Sequence, residues 1–161
     1  MKDLLCKLGK KLGYEVDVEA RPESELGGLM MRYDVLWYLK QPEWYSRLLE
    51  IVLSRDDLDP KYRELIERKA NVKRQLLVAF EIEASDTTTK AMKGTISNLS
   101  KLPYGIIVVK RGRKEASKTE GSIRNRFERA LLEFRTLHGP NNVIVVSFDD
   151  IKKLAEELGV K

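Results

Sequence analysis

The stretch Leu76-Leu77-Val78-Ala79-Phe80-Glu81-Ile82-Glu83-Ala84-Ser85 limits the possible folds more than any other. Its first half is an unbroken apolar run, which suits a strand covered on both faces of a sheet. From Phe80 the pattern alternates. Strand side chains have a period of two, so Phe80, Ile82 and Ala84 share one face while Glu81 and Glu83 share the other. Two carboxylates on one face of a central strand repel each other, and burial penalises each of them. A divalent cation relieves both costs, which makes this pair a candidate metal site.

The remaining periodicities arrange themselves around that strand. Residues 2–12 carry Leu4, Leu5, Leu8 and Leu12 at helical spacing, with Gly13 just beyond the end. Residues 14–20 alternate as a strand with one wet face. Residues 33–39 form a second strand, in which Asp34 is the lone carboxylate among apolar and aromatic neighbours. Gln41-Pro42 breaks it. Two helices follow, over 44–54 and from 61 to about 73, the second with Asp59 as cap and Pro60 in its first turn. After the central strand, 76–84, Ser85-Asp86-Thr87 supplies cap residues for a helix of about 88–102 with Met92, Ile96 and Leu99 as its buried stripe. A strand over 104–109, a basic loop, a helix over 122–137 closed by Gly139-Pro140, and a strand over 143–148 complete the order. A last helix, capped by Asp149 or Asp150, runs to Leu158. The expected fold class is α/β, one domain spanning 1–161. Three antiparallel strands begin a mixed sheet, helical crossovers add parallel strands, and helices sandwich it. Residues 41–75 are a helical insertion between strands two and three, and 122–161 form a C-terminal helix-strand-helix extension.

Composition narrows the class. With 42% hydrophobic and 34% charged residues the chain reads as soluble and folded. No run approaches the roughly 20 apolar residues of a membrane span, and no N-terminal signal pattern is present. Cys6 is the single cysteine and His138 the single histidine, so neither a disulfide nor a Cys/His zinc cluster is expected. A cytoplasmic location is the expectation. Scarce Asn and Gln against abundant Lys, Arg and Glu lean towards a thermophilic source. The formal net charge is +5, and its distribution is uneven. Lys61, Arg63, Arg68, Lys69, Lys73 and Arg74 oppose only Glu64 and Glu67, six cations against two anions, or +4. Lys110, Arg111, Arg113, Lys114 and Lys118 oppose only Glu115, five against one, again +4. Two such clusters suit a phosphate backbone or, equally, a solvated surface. Gly27-Gly28 precedes a strand rather than opening a helix, so no phosphate-cradling loop is evident, nor is a Ser/His/Asp or Cys/His nucleophile set.

Asp34 on strand two and Glu81-Ile82-Glu83 on strand three, within this element order, resemble the restriction-endonuclease-like superfamily, the PD-(D/E)xK nucleases, over about the first 110 residues. In size and charge the chain is similar to the archaeal Holliday-junction resolvase branch and to related archaeal or viral nucleases. The resemblance implies a metal-dependent DNA endonuclease acting in repair, recombination or restriction, with Mg2+ or Mn2+ as cofactor. Asp34, Glu81 and the Ile82 carbonyl would be metal ligands. The implied partner is double-stranded or branched DNA, with a homodimer as the assembly and no membrane. Two departures stand out. Tyr33 replaces the family proline, and Glu83 replaces the family lysine that orients the attacking water. Lys90 on the following helix is the expected substitute, with Glu83 assisting as an extra ligand or holding Lys90. The expected catalytic set is Asp34, Glu81, Glu83 and Lys90. Arg21, Arg32, Lys93, Lys110, Arg111, Arg113 and Lys114 would contact nucleic acid. Resolvase-type members also carry a helical glutamate; residues 1–14 contain none, leaving Glu15 or Glu19 to serve. The alternative is a catalytically inactive nuclease-fold module that binds nucleic acid or a protein partner.

Plainer roles remain open for each residue. Asp34 could pair with Arg32 or Arg21, and Glu81 and Glu83 could face solvent at a strand end. Lys90 and Lys93 could be ordinary surface lysines. Trp37, Trp44 and Tyr45 are most simply packing residues, and His138 suits a helix C-terminus. The apolar stripe of the insertion, Trp44, Leu48, Leu49 and Val52, needs a partner surface, either the core or a second copy of the chain.

Overall fold

In the computed structural model, which describes residues 1–22, 31–84, 87–110 and 120–161, the apolar run becomes the middle strand of a five-stranded sheet. The described elements are α1 (Lys2–Lys11), β1 (Glu15–Ala20), β2 (Tyr33–Lys40), α2 (Glu43–Leu53), α3 (Pro60–Asn71), β3 (Arg74–Ala84), α4 (Thr89–Leu99), β4 (Tyr104–Lys110), α5 (Glu120–His138), β5 (Val143–Ser147) and α6 (Phe148–Glu157). The strands lie in chain order. β1, β2 and β3 pair antiparallel, whereas β3, β4 and β5 pair parallel. The expected mixed α/β sheet is the one that forms. Among the described residues no helix is long and apolar enough to cross a membrane.

β3 is apolar through its first half because both its faces are covered. On one side Val35, Trp37, Val78, Phe80 and Val108 pack with Leu5 and Leu8 of α1 and Ile151 and Ala155 of α6. On the other, Leu36, Tyr38, Ala79, Ile107 and Val109 pack with Met92, Ile96 and Leu99 of α4 and with Phe127, Ala130 and Leu131 of α5. Both crossover helices lie on this second side, as strands added in one direction with a single hand of crossover require. α1 approaches the sheet closely at Gly9, where a Cβ would fall 2.6 Å from Trp37 Nε1. That indole N–H donates to the Leu5 carbonyl at 3.1 Å.

Helix ends follow capping chemistry, with some departures from the sequence reading. Asp59 accepts from the Lys61 and Tyr62 N–H groups at the start of α3, as expected. α4 is capped by Thr88, and Ser85 and Asp86 lie outside the described residues. α6 is capped by Ser147 rather than by Asp149 or Asp150. Ser147 and Asp150 satisfy each other's backbone N–H groups, so the helix starts earlier, at Phe148. The insertion departs most. α2 and α3 pack on each other over the buried Leu49 and Ile66, and neither lies against the sheet. Trp44 and Leu48 are therefore exposed rather than packed.

Candidate functional site

β2 and β3 pair, with one register shift between Trp37 and Tyr38, as far as Val35 opposite Phe80. One step further the antiparallel register sets Asp34 opposite Glu81, and there a side chain takes over from the backbone. Asp34 Oδ2 accepts the Ile82 N–H at 2.8 Å. The ladder thus ends by opening around a carboxylate. Asp34, Glu81, Tyr33, Glu19, Arg32 and Lys2 line the resulting open cleft of about 240 Å³. The two acids singled out in the sequence therefore face one shared space.

Lys2 is the central cation. From the first residue of α1 its Nζ lies 2.7 Å from Asp34 Oδ1 and 2.7 Å from Glu19 Oε1. These carboxylates, Asp34 foremost, hold the Lys2 ammonium above the ordinary lysine range. Arg32 clamps Glu19 from the other side: Nε donates to the Glu19 carbonyl at 2.6 Å and Nη2 to its carboxylate at 2.9 Å. Glu19 is the one non-glycine with positive φ among the described residues, at +50°. Such a conformation costs on the order of 1 kcal/mol and persists when its surroundings over-determine it. The Lys2 and Arg32 contacts do so, and they aim the carboxylate at the cleft.

Among the described residues Glu81 has no such ion-pair partner. Burial, then the neighbouring Asp34 and Glu83 carboxylates, push its pKa up to about 8. Around neutral pH this carboxyl holds a proton in place of a counter-ion. Tyr33, the residue at the proline position of the resemblance, walls the cleft; its hydroxyl donates to the Asn98 carbonyl at 3.3 Å, and burial followed by Glu81 raises its pKa.

The other expected site residues are elsewhere. Glu83 shares the Glu81 face but is absent from the cleft lining. Its two oxygens accept from the Thr87 and Thr95 hydroxyls at 2.8 and 2.7 Å, fastening α4 to the end of β3. Lys90 is exposed on the first turn of α4 and does not line the cleft. Lys93 turns towards α5, 3.7 Å from Glu133. Arg21 and Lys110 are exposed, and Arg111, Arg113 and Lys114 lie outside the described residues. Of the two candidate glutamates on β1, Glu19 reaches the cleft, whereas Glu15 sits 3.8 Å from Arg74. Trp37 is buried, and His138 packs its ring on Phe134 at 4.4 Å.

Lys2 is the cleft residue that the sequence reading missed. It begins an amphipathic helix and looks like any solvated lysine, because its contact with Asp34 exists only through the docking of α1.

Cavity size alone would favour another place, a cavity of about 410 Å³ lined by Leu39, Lys40, Gln41, Pro42, Trp44, Tyr45 and Gln75. It contains no acid, so a hard metal ion has no carboxylate to bind there. Among the described residues no three His, Cys, Asp or Glu side chains could enclose a metal ion by themselves. A cation in the cleft would need ligands beyond the carboxylates. No protein-family model, no curated protein and no solved structure matches the chain.

Proposed function

We propose that the chain is a magnesium- or manganese-dependent endodeoxyribonuclease of the PD-(D/E)xK type, with the cleft at Asp34 and Glu81 as its active site. The observation that carries this reading is the convergence of those two acids where the β2–β3 ladder opens, in a setting whose burial and neighbouring carboxylates raise the Glu81 pKa. A hard divalent ion suits two carboxylates: it takes oxygen ligands and keeps several waters, so no third acidic side chain is required. Asp34, Glu81 and the Ile82 carbonyl would hold it. Such an ion polarises a phosphoryl oxygen and lowers the pKa of a bound water.

The chain's own residues supply the rest. Lys2 replaces Lys90 as the positioning cation: its ammonium sits beside Asp34, where it can donate to a phosphate oxygen or orient a water. Glu83, in place of the family lysine, acts on the scaffold through Thr87 and Thr95. Glu19 and Arg32 hold Lys2 in place, and DNA is the expected substrate of a chain with net charge +5. The test is cleavage of plasmid, flap and four-way-junction DNA with magnesium or manganese, beside Asp34→Ala and Glu81→Ala proteins. Cutting by wild type and loss in both variants supports the reading. No cutting, or equal cutting by the variants, refutes it.

One observation favours a second reading, a non-catalytic nucleic-acid-binding module. Lys2 and Arg32 together already balance the charges of Asp34 and Glu19. That reading expects salt-sensitive DNA binding and no calorimetric signal on adding manganese.

A further inference from the structure

We infer that the cavity at the root of α2 is a nucleobase-stacking subsite, which takes one unstacked base of a single-stranded segment against Trp44. The inference rests on the nucleic-acid reading above but not on cleavage. Trp44 stands in the first turn of α2, just after the extended Pro42. At 100° per residue it lies about 140° round the helix from the buried Leu49. It therefore faces away from α3 and lines the cavity of about 410 Å³ together with Leu39, Tyr45 and Gln75. Its indole is 68% exposed, so most of its π surface is available, and the Tyr45 ring meets it at 84° with centroids 5.7 Å apart. The frame around the two rings is fixed. The Gln41 N–H donates to the Lys73 carbonyl at 3.0 Å, tying the end of β2 to the start of β3. The Gln41 side chain donates from Nε2 to the Ser46 hydroxyl at 2.9 Å, which fastens the same strand end to α2.

Size, chemistry and charge select a base as the occupant. A space of about 410 Å³ suits one planar heterocycle and its sugar and is too small for a duplex. Every base has a π face to lay on an indole, and the side-chain amides of Gln41 and Gln75 can donate to its edge or accept from it. Lys40 lines the cavity, and the exposed Lys73 adjoins Gln41. Glu43, the acid next to Trp44 in sequence, is paired with Arg47 at 3.6 Å. The mouth is therefore net positive, which suits the phosphates on either side of a bound base, whereas a basic peptide finds no carboxylate in the lining. A base paired and stacked inside a duplex cannot offer its face, so the subsite selects DNA with a single-stranded stretch, such as a flap, gap or branch. Lys40 stands six residues along β2 from Asp34, roughly 20 Å at the strand rise. Subsite and cleft are thus separate places, and an extended strand needs about six nucleotides, at roughly 3.4 Å each, to reach both.

Tryptophan fluorescence of the full chain, with a chelator present to prevent cleavage, tests this. The probes are single-stranded oligothymidylate, a blunt duplex of the same length, thymidine monophosphate and a proline-rich peptide. Stacking on Trp44 quenches its emission, while the buried Trp37 supplies a constant background. The single strand should quench and the duplex should not. Trp44→Ala should abolish the quench and weaken binding of a labelled strand, read by anisotropy, by about 5- to 150-fold, the scale of one lost stack. Trp44→Leu keeps apolar area without a π face and should bind as weakly as Trp44→Ala, whereas Trp44→Phe should recover part of the affinity. The inference is overturned if the strand does not quench, if the duplex quenches equally, or if only the monophosphate or only the peptide does. It is also overturned if Trp44→Ala or Trp44→Leu binds the strand within about twofold of wild type. Plasmid cleavage is scored separately: quenching without cutting keeps the subsite and refutes the nuclease, and cutting without quenching does the reverse.

Discussion

Replacing Glu81 with Gln should stabilise the metal-free protein at alkaline pH. Burial and the Asp34 and Glu83 carboxylates raise the Glu81 pKa from 4.5 to about 8. The folded chain therefore keeps a proton that the unfolded chain has already released, and stability falls as pH rises through this window. The favourable contribution is complete below 4.5 and lost above about 8. The full shift corresponds to a ceiling of about 5 kcal/mol, at about 1.4 kcal/mol per pH unit. Water reaches the carboxyl through the open cleft and screens it, so the expected loss is about 1–3 kcal/mol. Glutamine keeps the shape, cannot ionise, and can donate to Asp34. Urea unfolding in the presence of a chelator, at pH 4.5 and at pH 9, measures the effect. The variant should match wild type at the lower pH and exceed it at the higher. With a urea slope of about 2 kcal/mol/M, the midpoint moves by roughly 0.5–1.5 M. Equal midpoints at pH 9 would show that Glu81 ionises freely and that the two acids do not share a desolvated site. An equal gain at both pH values would point to packing rather than charge.

Manganese binding at pH 7 should displace the Glu81 proton, so the calorimetric enthalpy should vary with the ionisation enthalpy of the buffer; Asp34→Asn should abolish the binding heat. If the chain cuts DNA, Lys2→Met should slow cleavage by about 10²–10³, the scale of losing one preorganised donor, whereas Lys90→Ala should leave the rate within about twofold; the reverse ranking would restore Lys90 as the positioning cation. Glu83→Ala strands the Thr95 hydroxyl and leaves Thr87 only the Ala84 carbonyl as acceptor, and should cost about 1–3 kcal/mol in urea unfolding. Gly9→Ala forces a methyl against the Trp37 indole and should destabilise by about 1–3 kcal/mol, seen as a lower melting temperature.

Much of this molecule was legible in one dimension because period-two and period-3.6 patterns report local geometry directly. The apolar half of β3, the alternation of Glu81 and Glu83, the Met92-Ile96-Leu99 stripe and the Asp59-Pro60 start of α3 are all of that kind. They suffice for an α/β chain with a mixed sheet, and they mark Asp34 and Glu81 as charges in expensive positions. Side-chain partners at long sequence separation depend instead on how rigid elements dock. The packing of α1 delivers Lys2 to Asp34, the opening of the β2–β3 ladder turns Asp34 towards the Ile82 N–H, and the placement of α4 and the residues just before it gives Glu83 the Thr87 and Thr95 hydroxyls rather than a lysine. The exposure of Trp44 was equally hidden, since an amphipathic stripe reads the same whether its partner is the core, another chain or water. Sequence alone determined which residues pay for being in the sheet; the fold decided which neighbours relieve them, because only packing brings groups from separate elements within hydrogen-bonding distance.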